Sequence, residues 1–194
     1  MKIGRLLLRL TVGSLFFGHG TQKLFGWFGG HGLDATANMF ESLGMRPGQR
    51  NAVAAGAAEA GGGAGIALGL AMPLSASVLT ATMLTAVNRV HFKNGPWLTN
   101  GGYEYNIVLI AAVLALVEVG PGELSLDHLL GNERSGPGWA LAAAALGVAG
   151  ALGAHFAAES HPAPIEAPGT APADTSTNSD ATAQTETQEA GTPQ

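Results

Sequence analysis

The chain has 194 residues, of which only 12% are charged, about half the share of roughly 25% usual for soluble domains. Its nine Lys and Arg all lie at or before Arg134, where they face eight acids, and the remaining six acids follow Ser135; the net charge of −5 therefore belongs to the C-terminal tail, and the near-neutral body has no basic face for nucleic acid. Cysteine is absent, which excludes disulfides, thiolate metal sites, Cys-ligated clusters and thiol catalysis by this chain.

Lys2, Arg5 and Arg9 surround the first apolar residues, and the run continues to Phe17 before Gly18-His19-Gly20-Thr21-Gln22-Lys23. A basic start and apolar core resemble a signal peptide, but no A-x-A pattern follows, so an uncleaved helix over Ile3–Phe25 is expected. Gly26–Asn51 reads as a long loop with interfacial Trp27 and Phe28 and a short helix at Ala35–Leu43, stopped by Gly44 and Pro47. Ala52–Met72 has one charge, Glu59, and at 1.5 Å per residue spans about 31 Å, the thickness of a hydrocarbon core. Gly61, Gly65 and Gly69 recur every fourth residue and predict a helix-packing stripe. Leu74–His91 and Tyr103–Val119 are the third and fourth expected spans, and the Ala- and Gly-rich Trp139–Ala158 a fifth. Residues 159–194 hold Ala, Pro, Thr, Ser and acids with little to bury, the composition of a disordered tail. The predicted fold class is thus an all-α membrane protein: a four-helix transmembrane bundle, a fifth transmembrane helix and a disordered C-terminus. Four basic residues fall on one side of such a bundle and five on the other, so the positive-inside rule gives no orientation.

Polar groups inside lipid are costly, which makes each a site candidate. His19, Gln22 and Lys23 share a helix face and either hold a carbonyl or anion or simply reach the headgroups. Glu59 suits a proton relay, a structural ion pair or a neutral buried acid equally. Asn88 and His91, flanked by Arg89 and Lys93, fit quinone binding or the capping of a helix end. Gly101-Gly102-Tyr103-Glu104-Tyr105-Asn106 combines a tight turn, two aromatics and an acid favoured in a first helical turn. Antiparallel connectivity brings His19, Gln22, Glu59, Asn88, His91 and Glu104 towards one membrane face, and a single shared polar cavity is predicted there. The histidines show no metal-ligand spacing, and no metal is expected.

In order along residues 3–130, several motifs resemble the DoxX family: Gly18-His19-Gly20-Thr21-Gln22-Lys23-Leu24-Phe25-Gly26, Gly32-Leu33, Phe40-x-x-Leu43-Gly44, Glu59 with its glycine run, His91-Phe92-x-Asn94-Gly95, Gly101 to Asn106, and Gly120-Pro121-Gly122-x-x-Ser125-Leu126-Asp127. The resemblance implies a four-helix bacterial membrane domain over 1–130; the expected fifth transmembrane helix in 131–158 and the tail at 159–194 fall outside that core. It implies a multi-pass protein of the cell (inner) membrane. It further implies a membrane subunit or anchor of a redox system, quinone-linked or concerned with oxidant defence; quinone is the one candidate cofactor, and the lipid bilayer, a soluble oxidoreductase and other membrane subunits are the candidate partners. Tyr103 joins His19, Gln22, Lys23, Glu59, Asn88, His91 and Glu104 as a candidate for substrate or quinone binding. A non-catalytic membrane scaffold is the alternative, with a small-solute transporter behind it. No motif names a reaction, so catalysis stays open.

Overall fold

The computed structural model describes residues 2–160; the predicted tail beyond Ser160 lies outside the described residues. Every regular element among them is helical. Helix α1 covers Ile3–Phe25, the expected span, and ends where Gly26 takes a left-handed conformation (φ 71°) and donates its N–H to the Gln22 carbonyl. A single 3₁₀ turn at Trp27–Gly29 leads into α2, Gly32–Ser42, three residues earlier than the sequence pattern placed it. Helix α3 runs Gly48–Leu68. It starts directly after Pro47, whose ring suits a helix entry, and stops at Gly69 in the left-handed region (φ 66°). The expected Ala52–Met72 is therefore displaced by four residues towards the N-terminus.

Helix α4 has two parts. Fifteen residues of α-helix, Met72–Ala86, pass into a five-residue π turn, Val87–His91. Together they rise about 30 Å. A 3₁₀ turn at Phe92–Asn94 and another at Leu98–Asn100 make a tight loop before α5, Glu104–Val119. One turn, α6 (Leu126–Leu129), precedes α7, Pro137–Glu159.

The glycines decide which helices touch. Gly13 and Gly20 of α1, two turns apart, meet Gly63 and Gly56 of α3, also two turns apart. A Cβ on Gly13 would stand 2.7 Å from the Gly63 carbonyl oxygen, and one on Gly20 would run into the Ala60 and Gly56 backbone. These two helices are therefore in backbone contact, which only the missing side chains permit. Of the predicted stripe, Gly65 does pack closely, against Ser75 at the start of α4. Gly61 faces open space, and Gly69 serves as the end of α3 beside Arg9 and Ser125. The four-residue repeat is not a single face of contact, because helix-ending at Leu68 removes its last member and a neighbour is lacking at its first.

Helices α1, α3, α4 and α5 meet in a core of Val12, Phe16, Ile66, Leu79, Met83, Leu109, Val113 and Leu116, and α7 joins it through Ala143 along α4 and α5. Outside this core the usual polarity is inverted. Leu141 and Val108 are 72% and 62% exposed, whereas Arg9 and Glu59 are each 3% exposed. Among the described residues α7 alone is long and apolar enough by itself to cross a membrane, with mean hydropathy 1.7. Helix α1 carries Arg5, Arg9 and Lys23, α3 is diluted by glycine and alanine, and the α-helical parts of α4 and α5 are only 15 and 16 residues long.

At the end of the bundle where α1 starts and α3 finishes, two buried charges tie the chain together. Arg9 donates to the carbonyls of Ala67, Pro121 and Leu124. Asp127 accepts the N–H groups of Ala71 (2.8 Å) and Met72 (3.1 Å), so its carboxylate satisfies the first donors of α4. Ala71 there has φ 46°, a left-handed conformation costly for a residue with a Cβ, and the Asp127 bond holds it. The Gly120–Asp127 motif thus folds back as a plug over the α3–α4 turn.

Candidate functional site

The opposite end of the bundle gathers the end of α1, the start of α3, the π turn after α4, the start of α5 and the late part of α7. Between them lies a cavity of about 550 Å³, within the range of ligand sites. Its wall is mostly apolar, with Phe16, Phe40, Met45, Met83 and Leu109 prominent. Into this wall the chain sets a few polar groups: His19 and Lys23 from α1, Glu59 from α3, Arg89 and His91 from the π turn, and Tyr105 and Asn106 from α5.

Each group is held differently. Lys23 Nζ donates to Glu59 Oε2, and the Glu59 side chain is 4% exposed, so its charge is matched inside the protein. Asn106, buried, donates from Nδ2 to Met83 Sδ at 3.4 Å. His91 Nδ1 lies 2.8 Å from the Gly101 carbonyl oxygen. Because a carbonyl only accepts, Nδ1 carries the hydrogen there, and Nε2 is left with a lone pair when the ring is neutral. Arg89 Nη2 lies 3.2 Å from both the Nδ1 and the carbonyl oxygen of His155 on α7. His155 Nδ1 receives Arg89 and, at 3.4 Å, Asn88 Nδ2, so it must be the acceptor nitrogen; Nε2–H then donates to Glu159 at 3.2 Å. Arg89 Nε is buried and has no partner among the described residues.

The π turn explains how Arg89 and His91 reach the same cavity. An i→i+5 turn inserts one residue into the helical register, and such turns recur at functional sites. Val90, between the two, also lines the wall.

Of the candidates read from sequence, His19, Lys23, Glu59 and His91 line the cavity. The other four stand beside it in supporting contacts. Gln22 donates to the Phe28 carbonyl at 3.2 Å and braces the loop after α1. Asn88 is exposed and leans on His155. Tyr103 stacks on Phe92 with ring centroids 6.2 Å apart. Glu104 accepts the Leu98 N–H at 2.6 Å and closes the loop before α5. The structure adds Arg89, Tyr105 and Asn106 to the site. In the sequence Arg89 is one of two charges flanking Asn88 and His91, and nothing in its own neighbourhood distinguishes it from Lys93. Among the described residues no group of three or more His, Asp or Glu is placed to hold a metal ion.

Comparison with known proteins gives two findings. A family model described as DoxX matches residues 4–92. A protein of Bacillus subtilis (strain 168) named "Putative oxidoreductase CatD" is 32% identical over 126 residues, 65% of this chain and 86% of the relative. No solved structure matches the chain significantly.

Proposed function

The chain belongs to the DoxX family, and from that premise we propose that it is a multi-pass subunit or anchor of a redox system in the cell membrane, with a quinone-class ligand held in the cavity at the ends of α1, α4 and α5. The observation that carries this reading is the cavity itself: about 550 Å³, apolar over most of its wall, with hydrogen-bond donors from three helices. A lipophilic ring and tail fit the apolar part, and the polar ring oxygens fit Arg89, His91 and Asn106.

The membrane part of the proposal rests on the inverted polarity. Large apolar side chains such as Leu7, Val108, Leu141 and Phe156 face outward, while Arg9, Glu59, Asn106 and Asp127 are buried and hydrogen-bonded or ion-paired. In hydrocarbon this is the stable arrangement, since polar groups there must find partners within the protein. The oxidoreductase name of the Bacillus relative supports the redox setting.

A bound quinone supplies two-electron, two-proton carrier chemistry. The chain's own residues would bind, orient and shield it. Phe16, Phe40 and Leu109 exclude water from the apolar end. Arg89 brings a guanidinium to the wall. His91, held through Nδ1, presents Nε2 as a proton acceptor near the loop at the bundle end. The Lys23–Glu59 pair keeps a charge of each sign on the wall without an unpaired acid. Full-length protein in lipid nanodiscs, titrated with a short-chain ubiquinone, tests the reading by calorimetry. Saturable binding that weakens in Glu59→Gln and His91→Ala, with helicity retained, is expected. Absence of saturable binding would leave the protein as a scaffold.

A further inference from the structure

Arg89 differs from the other cation on the cavity wall. Lys23 meets a carboxylate, whereas among the described residues no carboxylate stands within ion-pair distance of Arg89. Its partners are an imidazole nitrogen that must be unprotonated and a backbone carbonyl, both neutral. The acids around it are engaged elsewhere: Glu59 with Lys23, and Glu159 with the far nitrogen of His155. The helices facing it add His19 and Lys23 from α1 and Tyr105 and Asn106 from α5, none of them an anion at neutral pH. A guanidinium has five donors, no acceptor and a permanent charge. Here it keeps that charge beside an apolar cavity. A cation in such a wall without a counter-charge is unfavourable. One ligand group supplies the missing charge: an ionised oxygen on a lipophilic ring.

We infer that Arg89 is the specificity-determining residue of the cavity, selecting quinone-class ligands that carry an ionised ring hydroxyl over neutral ones, with His155 of α7 as its positioning residue. The inference rests on the reading of the cavity as a quinone site and adds the charge of the ligand to it. It also gives α7 a role in the site, through Gly150, Ala154 and the His155 contact, although α7 lies beyond the residues matched by the family model.

The test uses the full chain in nanodiscs and two probes at neutral pH. One is an alkyl-substituted hydroxynaphthoquinone, whose ring hydroxyl is ionised; the other is its O-methyl ether, which is neutral. Wild type is expected to bind the anion about tenfold or more tighter than the ether, the scale of a charge-assisted bond in a partly desolvated site. Arg89→Gln brings the ratio close to one, because the anion loses the charge-assisted contact and falls at least tenfold while the ether loses at most a neutral hydrogen bond and falls by no more than about threefold. His155→Ala removes the imidazole contact and keeps the carbonyl one, and the ratio falls about threefold, the effect of one hydrogen bond. A structural defect would instead weaken both probes together. Equal affinity of wild type for both probes, or a preference that survives in Arg89→Gln, overturns the assignment of Arg89 and leaves the quinone reading standing. Failure of both probes to bind wild type overturns the quinone reading, and the assignment with it. Should Arg89→Gln not fold, the His155→Ala ratio decides alone: no change from wild type refutes the inference.

Discussion

Replacing Asp127 by alanine would remove one buried carboxylate and orphan two backbone donors at once. Asp127 is 1% exposed, and its two oxygens accept the N–H groups of Ala71 and Met72 at 2.8 and 3.1 Å. Hydrogen bonds to a charged acceptor contribute about 1.5–3 kcal/mol each, so two give a loss of roughly 3 kcal/mol or more. Relief of the left-handed Ala71 conformation, costing on the order of 1–3 kcal/mol, returns part of this if the turn can relax. Relaxation is opposed by the Asp127 N–H bond to the Gly69 carbonyl (2.9 Å), a backbone contact that alanine keeps. A net loss of about 2 kcal/mol is the expected outcome, with Asp127→Asn intermediate because its amide keeps one acceptor oxygen. Melting of purified protein in mild detergent, followed by circular dichroism, reads the change. An Asp127→Ala melting temperature equal to that of wild type would refute the idea that the Gly120–Asp127 plug organises the start of α4.

Three further outcomes are open to measurement. Gly20→Ala places a Cβ against the α3 backbone and should lose about 1–3 kcal/mol by overpacking, whereas Gly61→Ala fills open space and should gain up to about 1 kcal/mol from helix propensity; thermal melts of the pair that coincide would mean the α1–α3 contact is misplaced. Lys23→Met leaves Glu59 buried without its cation, and a loss of about 2 kcal/mol is expected after allowing for the 25% exposure of the Lys23 side chain; the double variant Lys23→Met/Glu59→Met should recover most of it, and a double variant no better than the single would argue against a paired charge. The protein should resist carbonate extraction, and reporters fused after Asn132 and after Glu159 should report opposite sides of the membrane if α7 crosses it; the same side for both would place α7 on the surface.

Much of the helical order was legible because the local signals agreed. Helix α1 has a basic start, a largely apolar stretch to Phe17 and a glycine stop at Gly26, and its observed limits coincide with the expected ones. Helix α7 lacks any polar residue before His155, so its extent differs by only two residues at its start and one at its end. The start of α3 was harder. Gly48-Gln49-Arg50-Asn51 reads as loop by composition, yet Pro47 and the contact of Gly48 with Glu41 and Ala37 draw it into the helix. The π turn at Val87–His91 leaves no trace in hydrophobic periodicity, because it changes one hydrogen-bond register and not the residue types.

The same division holds at the cavity. His19, Lys23, Glu59 and His91 stood out as polar residues in apolar stretches, a signal independent of the partners they find. Tyr105 and Asn106 lie in the Gly101–Asn106 segment that the sequence singles out, but nothing in it marks them above Tyr103 and Glu104, since polar residues are ordinary in the first turn of a helix. Arg89 required knowledge of α7, for its partner His155 is 66 residues away along the chain. Glycine spacing was a partial guide for a related reason. Gly65 does meet Ser75 of α4, but Gly61 has no close neighbour among the described residues and Gly69 ends the helix, while the α1–α3 contact runs through Gly13 with Gly63 and Gly20 with Gly56.

Whether a quinone-class ligand occupies the cavity between α1, α4 and α5 can be read by photo-crosslinking the full chain in nanodiscs with an azido-quinone, followed by peptide mapping. Labels are expected on residues of the Val78–His91 segment and around Glu59 and Tyr105, suppressed by an excess of unlabelled quinone. Labels spread over outward-facing residues such as Leu141, Leu152 and Phe156, unaffected by competition, would contradict that occupancy.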